Sequence, residues 1–249
     1  MPATHHTAGT DAPHHGLSVV LGGSGGLGSA LVEHLRNQGS EVLGIGRRTQ
    51  PVLDYLDAGS IEVCAQHLAD HLAQTGQPLT RLIVATGFLH GNTAGGQRAE
   101  PERTWQNLST DALTHSFTVN AIGPALVMKH FLPLLPRQGR CVAAFLSARV
   151  GSIGDNALGG WYAYRASKAA LNQLVHTAAI ELARRNREAV CVALHPGTVD
   201  TALSRPFAKT GLLVRPPEVA ARELLSVLDA LEADASGGFF DHLGKPVPW

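Results

Sequence analysis

Short apolar runs alternate with longer amphipathic stretches along this chain, and few architectures accept that order. The runs are "LSVVLGG", "EVLGIG", "RLIVATG", "RCVAAFLS", "AVCVALHPG" and "GGFFDHLG". Between them, apolar residues at steps of three and four predict helices from about Leu27, around Ile61–Ala73 and from about Thr110 to Leu135. Two more helices follow, one carrying Tyr164 and one from about Pro217 to Leu231. Strand and helix in alternation predict an α/β fold, a doubly wound and mostly parallel sheet with helices on both faces. One link is odd. Only about five residues separate "VLGIG" from the next candidate strand, "VLDY", whereas a parallel crossover needs a dozen or more. Either Val52–Tyr55 is a short extended piece with no crossover helix before it, or this strand lies outside the sheet.

A length of 249 residues with 44% hydrophobic content suffices for one well-buried core, so residues 17–249 read as one domain. Residues 1–16, "MPATHHTAGTDAPHHG", have no periodicity and are expected to be disordered. Lys+Arg and Asp+Glu number 20 each and form no basic block, which argues against a nucleic-acid partner. No apolar run approaches the ~20 residues that span a bilayer, and the N-terminus lacks the apolar core of a signal peptide. A cytoplasmic protein with no membrane contact is expected. Cys64, Cys141 and Cys191 show no C-x-x-C spacing and read as buried thiols. Cys64, His67 and His71 could share a helical face, but without a fourth ligand no metal site is expected. The histidines of the N-terminal segment, His5, His6, His14 and His15, likewise need no metal.

The sharpest local signal is "VVLGGSGGLGSALVEHL", an apolar strand, Gly22-x-x-x-Gly26-x-Gly28, then an amphipathic helix. Glycines let a backbone approach a ligand closely, and a helix N-terminus offers unpaired N–H groups to a pyrophosphate. Between the first strand and first helix of an alternating chain, this turn predicts a Rossmann-like dinucleotide site. The second strand ends "GIGRR", with no acid for a ribose 2′-hydroxyl. The guanidinium forks of Arg47 and Arg48 suit a 2′-phosphate, so NADP(H) is the expected cofactor.

Tyr164 stands four residues before Lys168, so the two share one face of a helix, whereas Tyr162 stands four before Ala166. A phenol near pKa ~10 needs help to exchange a proton at neutral pH, and a neighbouring ammonium favours its phenolate. In "FTVNAIGPALVMKHFLPLL", Pro124 denies an N–H to the carbonyl of Asn120 and should kink the helix. That carbonyl is then free to hold a water in a proton relay, or the kink is incidental.

"GGSGGLG", "NAIGP", "YRASK" and "HPGTVDT", in this order and spacing, resemble the short-chain dehydrogenase/reductase family from about Leu17 to Trp249. "GSIGDN", "GGWYAYRASKAALN", "FFD" and "PVPW" are similar to its subgroup of C-factor signalling proteins and sniffer-type carbonyl reductases. The resemblance implies that Gly22, Ser24, Gly26, Leu27 and Gly28 form the pyrophosphate turn and that Asp54 meets the adenine edge. It implies cofactor contacts from Ala85, Thr86 and Gly87, and from a carboxamide-orienting loop of Pro196, Gly197, Thr198 and Thr201. Asn120, Tyr164 and Lys168 resemble three members of the catalytic tetrad, with Lys168 also on the nicotinamide ribose. "VATG" replaces the family's "NNAG", a tolerable variation, and "SARVGSI" departs further. Ser147 stands at the subgroup's first serine and Ala148 at the second, the one that binds the substrate oxygen. Ser147 is the candidate replacement if the strand end bulges, and Ser152 a remoter one.

NADPH-dependent reduction of a small carbonyl substrate by a homodimer or homotetramer is therefore expected. Phe207, Trp161, Tyr162 and the aromatic tail suggest an apolar substrate, with "LSRPFAKTGLLVRP" as its covering loop. The alternative is a weakly active or non-catalytic NADP(H)-binding signalling protein, favoured by Ala148.

Overall fold

The computed structural model describes residues 16–207 and 213–249. The N-terminal segment expected to be disordered lies outside the described residues up to position 15, and so does the middle of the expected covering loop. The chain runs β1 (Leu17–Leu21), α1 (Gly26–Asn37), β2 (Val42–Ile45), α2 (Ala58–Thr75) and β3 (Leu79–Val84). A small antiparallel ribbon, β4 (Gly91–Asn92) and β5 (Arg98–Ala99), precedes α3 (Thr110–Phe117) and α4 (Gly123–Phe131). Then come β6 (Cys141–Leu146), α5 (Tyr162–Arg185), β7 (Ala189–His195) and the paired β8 (Thr198–Val199) and β9 (Val214–Arg215). α6 (Pro217–Ala230) and β10 (Phe239–Asp241) close the fold.

Six strands form one parallel sheet in the order β10-β7-β6-β3-β1-β2. The chain winds outward from β1 to β2, then crosses back to β3 and continues the other way. The switch between β1 and β3 leaves a crevice at their carboxyl ends, where a doubly wound fold binds its ligand. Alternation along the strands explains the two-sided core. Cys141, Ala143 and Phe145 of β6, with Ala189, Cys191 and Ala193 of β7, face the layer of α2, α4 and α5. Their neighbours Val142, Ala144 and Leu146, and Val190, Val192 and Leu194, face α1 and α6. Burial on both faces is why these strands read as unbroken apolar runs. All three cysteines are free thiols in this core.

Two expectations are resolved here. Val52–Tyr55 is not a strand of the sheet, and α2 is the crossover from β2 to β3. Leu53 and Tyr55 instead turn inward, and the Tyr55 ring lies flush on Gly123, where any β-carbon would collide with it. The helix expected from Thr110 to Leu135 runs as α3, a π-helical turn over Thr118–Ile122, α4 and a short 3-10 turn at Leu132–Leu134. The wider turn, with the Gly123 N–H donated to the Thr118 carbonyl, leads into a new helix that carries Pro124 in its first turn. Proline needs no N–H partner there, so the break costs little and shifts the register beside Asn120.

Candidate active site

At the crevice the glycine turn is shaped by close backbone approach. Gly22 sits at φ +86°, and a β-carbon on it would lie 3.0 Å from the Ala85 carbonyl group at the end of β3. A β-carbon on Gly28 would collide with the Gly22 carbonyl oxygen, so α1 can pack onto the turn only with glycine here. Gly25 caps α1 and no acid occupies its first turn, which leaves its N-terminus suited to an anion. The loop after β7 folds over this turn, with Thr201 Cγ2 2.9 Å from where a β-carbon on Gly26 would stand. Leu27, next in α1, is buried and packs into the core beneath.

At the rim, Arg47 and Arg48 are exposed, and Arg48 Nη2 donates to the Ser24 carbonyl at 2.6 Å. Asp54 accepts from the Leu56 N–H at 3.0 Å and so shapes a turn at the same edge. The hydroxyls of Thr86 and Tyr55 are buried beside each other at the end of β3. A narrow glycine cradle, an open helix N-terminus and a rim of guanidinium groups together fit a phosphorylated dinucleotide. Gly22, Ser24, Gly26, Gly28, Thr86 and Arg48 are the residues placed to hold one.

Across the crevice the catalytic candidates converge. Asn120 is fully buried, and its side chain accepts from the Phe88 N–H and donates to the Phe88 carbonyl, both at 2.8 Å. It also donates to Ser167 Oγ at 3.0 Å, which ties the exit of β3 to α5. Lys168 Nζ donates to the Leu146 carbonyl at 2.8 Å and stands 5.9 Å from the centre of the Tyr164 ring. A β-carbon on Gly87 would sit 3.6 Å from Asn120 Oδ1 and 3.7 Å from Lys168 Nζ, so Gly87 marks the point where the three elements meet. Burial pushes the Lys168 ammonium down to about 7 and the Tyr164 phenol up to about 12. The expectation that the ammonium draws the phenol down is therefore corrected. The lysine proton points at a backbone carbonyl, and desolvation dominates both groups.

The substrate end is apolar. Leu89, Ala148 and Tyr164 form one buried cluster, and Val150, Trp161, Leu203 and Phe207 pack against it. Phe207 meets His90 edge-on at 5.2 Å and Trp161 at 5.3 Å, while Trp161 meets Tyr164 at 6.2 Å.

A family model for short chain dehydrogenases matches residues 17–211. The chain belongs to the short-chain dehydrogenase family. It is an oxidoreductase by that membership. The C-signal protein of Myxococcus xanthus is 40% identical over 137 residues, 55% of this chain and 78% of that protein. The carbonyl reductase Sniffer of D. melanogaster superposes with a TM-score of 0.78 at 22% identity, over 94% of this chain and 99% of that one. An NADPH-bound carbonyl reductase from chicken fatty liver does so with a TM-score of 0.76 at 26% identity, over 93% and 98%.

In this short-chain dehydrogenase, Asn120, Tyr164, Lys168 and Gly87 come together, but Ser147 does not join them. Its hydroxyl donates to Asn172 Oδ1 at 2.6 Å, and its N–H continues the sheet by donating to the Leu194 carbonyl at 2.7 Å. Successive residues at a strand exit face opposite ways, and here Ala148 takes the face toward Tyr164. Ser152, the remoter candidate, is buried and accepts from the Asp155 N–H at 3.0 Å. Gly197 (φ +74°) and Thr198 lie at the loop base, where Gly197 packs tightly against Arg215 and His242. Pro196 precedes them. Trp161, and not Tyr162, stands in the aromatic wall, and Trp249 stacks on Phe239 and meets His176 edge-on. Sequence reasoning missed Leu89, His90 and Asn172, whereas Leu203 opens the covering loop it expected. Only Asn172 left a signal, four residues beyond Lys168 on the same helical face.

Proposed function

We propose that this short-chain dehydrogenase reduces an apolar carbonyl compound with NADPH, Tyr164 giving the proton. The observation that carries this reading is the buried Tyr164, packed on an apolar wall beside Lys168 at the mouth of the glycine-lined crevice. NADPH, when bound, supplies the hydride. A phenol raised to about 12 stays protonated near neutrality, the form required to donate to a carbonyl oxygen as charge develops there. Lys168, lowered to about 7, exchanges its proton in the working range and stands where it can replenish the phenol by way of water. Asn120 holds the exit of β3 against α5, and Pro124 leaves its backbone carbonyl without the usual helical donor. Arg47 and Arg48 support the choice of NADPH, as does the NADPH-bound relative. We also expect a homodimer or homotetramer in the cytoplasm, readable by light scattering and fractionation.

The test is NADPH oxidation at 340 nm with aldehydes, diketones and aromatic ketones, against a Tyr164→Phe control. Turnover above that control supports the reading. Ala148 favours a second reading, an NADP(H)-binding protein with little turnover, because no serine hydroxyl faces Tyr164 at that position. Tight NADPH binding with no turnover above the control would establish it.

A further inference from the structure

The entry to α5 is built in an unusual way. Gly159, Gly160 and Trp161 have φ values of +63°, +66° and +54°, three left-handed residues in succession, and Trp161 is the one non-glycine among the described residues with positive φ. A bulky residue stays in that region only where its surroundings hold it. Two residues hold it here, Glu102 through both its backbone and its side chain and Arg165 through its side chain. Glu102, from the segment after β5, is buried at 4% exposure. Its backbone carbonyl accepts from the Trp161 N–H at 2.6 Å, and its side-chain Oε2 accepts from the Ala163 N–H at 3.2 Å, which caps the first turn of α5 from 61 residues away. From the other side, Arg165 donates to the carbonyls of Gly160 at 3.0 Å, Gly159 at 3.2 Å and Val150 at 3.1 Å. A carboxylate on helix N–H groups and a guanidinium on the preceding carbonyls clamp the turn by complementary charge.

We propose that Glu102 is a positioning residue of the substrate pocket. By capping the first turn of α5 at Ala163, two residues after Trp161, its carboxylate steadies the left-handed turn and stands the indole between Tyr164 and Phe207, and so favours flat aromatic carbonyl compounds over short aliphatic ones. Burying a carboxylate with Oε1 unpartnered is costly, and simple capping of a helix does not require it. The substrate part of this inference rests on the carbonyl-reductase reading, while the placement of Trp161 does not.

The experiment compares kcat/KM for an aromatic ketone and for a short aliphatic aldehyde. Glu102→Ala should lower the ratio about ten-fold, mainly through KM for the ketone, in the range of a lost pocket contact. Glu102→Gln keeps a carbonyl oxygen for the Ala163 N–H and should restore the ratio. On a Trp161→Gly background, Glu102→Ala should change the ratio no further. A parallel fall for both substrates, or further change on that background, overturns the proposal in favour of a general effect on stability. A second measurement needs no turnover. With Trp105→Phe and Trp249→Phe, Trp161 is the sole indole, and Glu102→Ala should shift its emission to the red and raise its quenching by acrylamide. If Glu102→Ala fails to fold, Arg165→Met should produce the same shifts. Unaltered emission and quenching in the variant that folds would sink the positional claim. A wild-type protein that reduces no carbonyl would refute the reductase reading alone.

Discussion

The two ends of the crevice are built on different principles. At the nucleotide end the determinants are backbone: a turn in which β-carbons on Gly22, Gly26 and Gly28 would each press on a neighbouring strand, loop or turn. At the proposed substrate end they are side chains brought from four separate stretches of chain, Leu89 and His90, Ala148, Trp161 and Tyr164, and Leu203 and Phe207. Backbone geometry admits little substitution, because adding a single carbon collides with a rigid neighbour. An apolar wall tolerates exchange of its members, and Ala148 facing Tyr164 is such an exchange. On the proposed reading, binding and chemistry in this molecule are under separate structural control.

The largest effect that sharpens this contrast is Tyr164→Phe. It should reduce turnover by roughly 10²–10⁴-fold, the usual worth of a general acid, with NADPH affinity within a few-fold by fluorescence titration. A joint loss would mean that the two ends are not separable. Next, Ala148→Ser places a donor beside Tyr164 and should raise kcat on the order of ten-fold, since such donors contribute up to about 10²–10³. Ser147→Ala should leave kcat nearly unchanged but lower stability by about 1–3 kcal/mol, because Asn172 loses its buried donor. The opposite pattern would restore Ser147 to the site.

At the nucleotide end, Arg47→Asp with Arg48→Ser should weaken NADPH by about ten-fold more than NADH, the worth of one charge-assisted contact. Equal loss would remove the phosphate assignment. Gly28→Ala should cost about 1–3 kcal/mol in chemical denaturation and weaken NADPH as well, being an overpacked backbone contact.

A further effect is in pH. Lys168 falls to about 7 when folded, against 10.5 for the free side chain, so between these values the unfolded chain binds more protons. Stability should therefore rise with pH across this window, and the penalty of burying the charge is fully present below about 7. The thiols of Cys64 and Cys141 are pushed up from 9 to about 11 and act oppositely above pH 9, so melting between pH 7 and 9 isolates the lysine. Lys168→Met should flatten that slope. His195, pushed down to about 4 by burial first and His242 second, should add a loss of stability as pH falls from 6.5 toward 4.

Most of the scaffold and the shape of the glycine turn were legible before any coordinates. Strand runs, helix periods, the Gly22–Gly28 turn and the Tyr164–Lys168 pairing are all patterns within a few residues, and short-range geometry converts them directly into shape. The place of Val52–Tyr55 was not legible, because an alternating apolar pair reads the same whether it joins a sheet or plugs into Gly123. Nor was the direction of Ser147, since its hydroxyl follows Asn172 across the fold.

What the amino-acid order determined by itself is the layered α/β framework, the dinucleotide crevice and the helical face shared by Tyr164 and Lys168. The tertiary structure alone decided that the strand end does not bulge to bring Ser147 to the phenol, that burial rather than charge dominates both ionisable groups, and that Trp161 is held in its left-handed turn by Glu102 and Arg165. The reason is one of range. Periodicity encodes contacts between residues a turn apart, whereas desolvation and long-range hydrogen bonds exist only once distant segments have packed together.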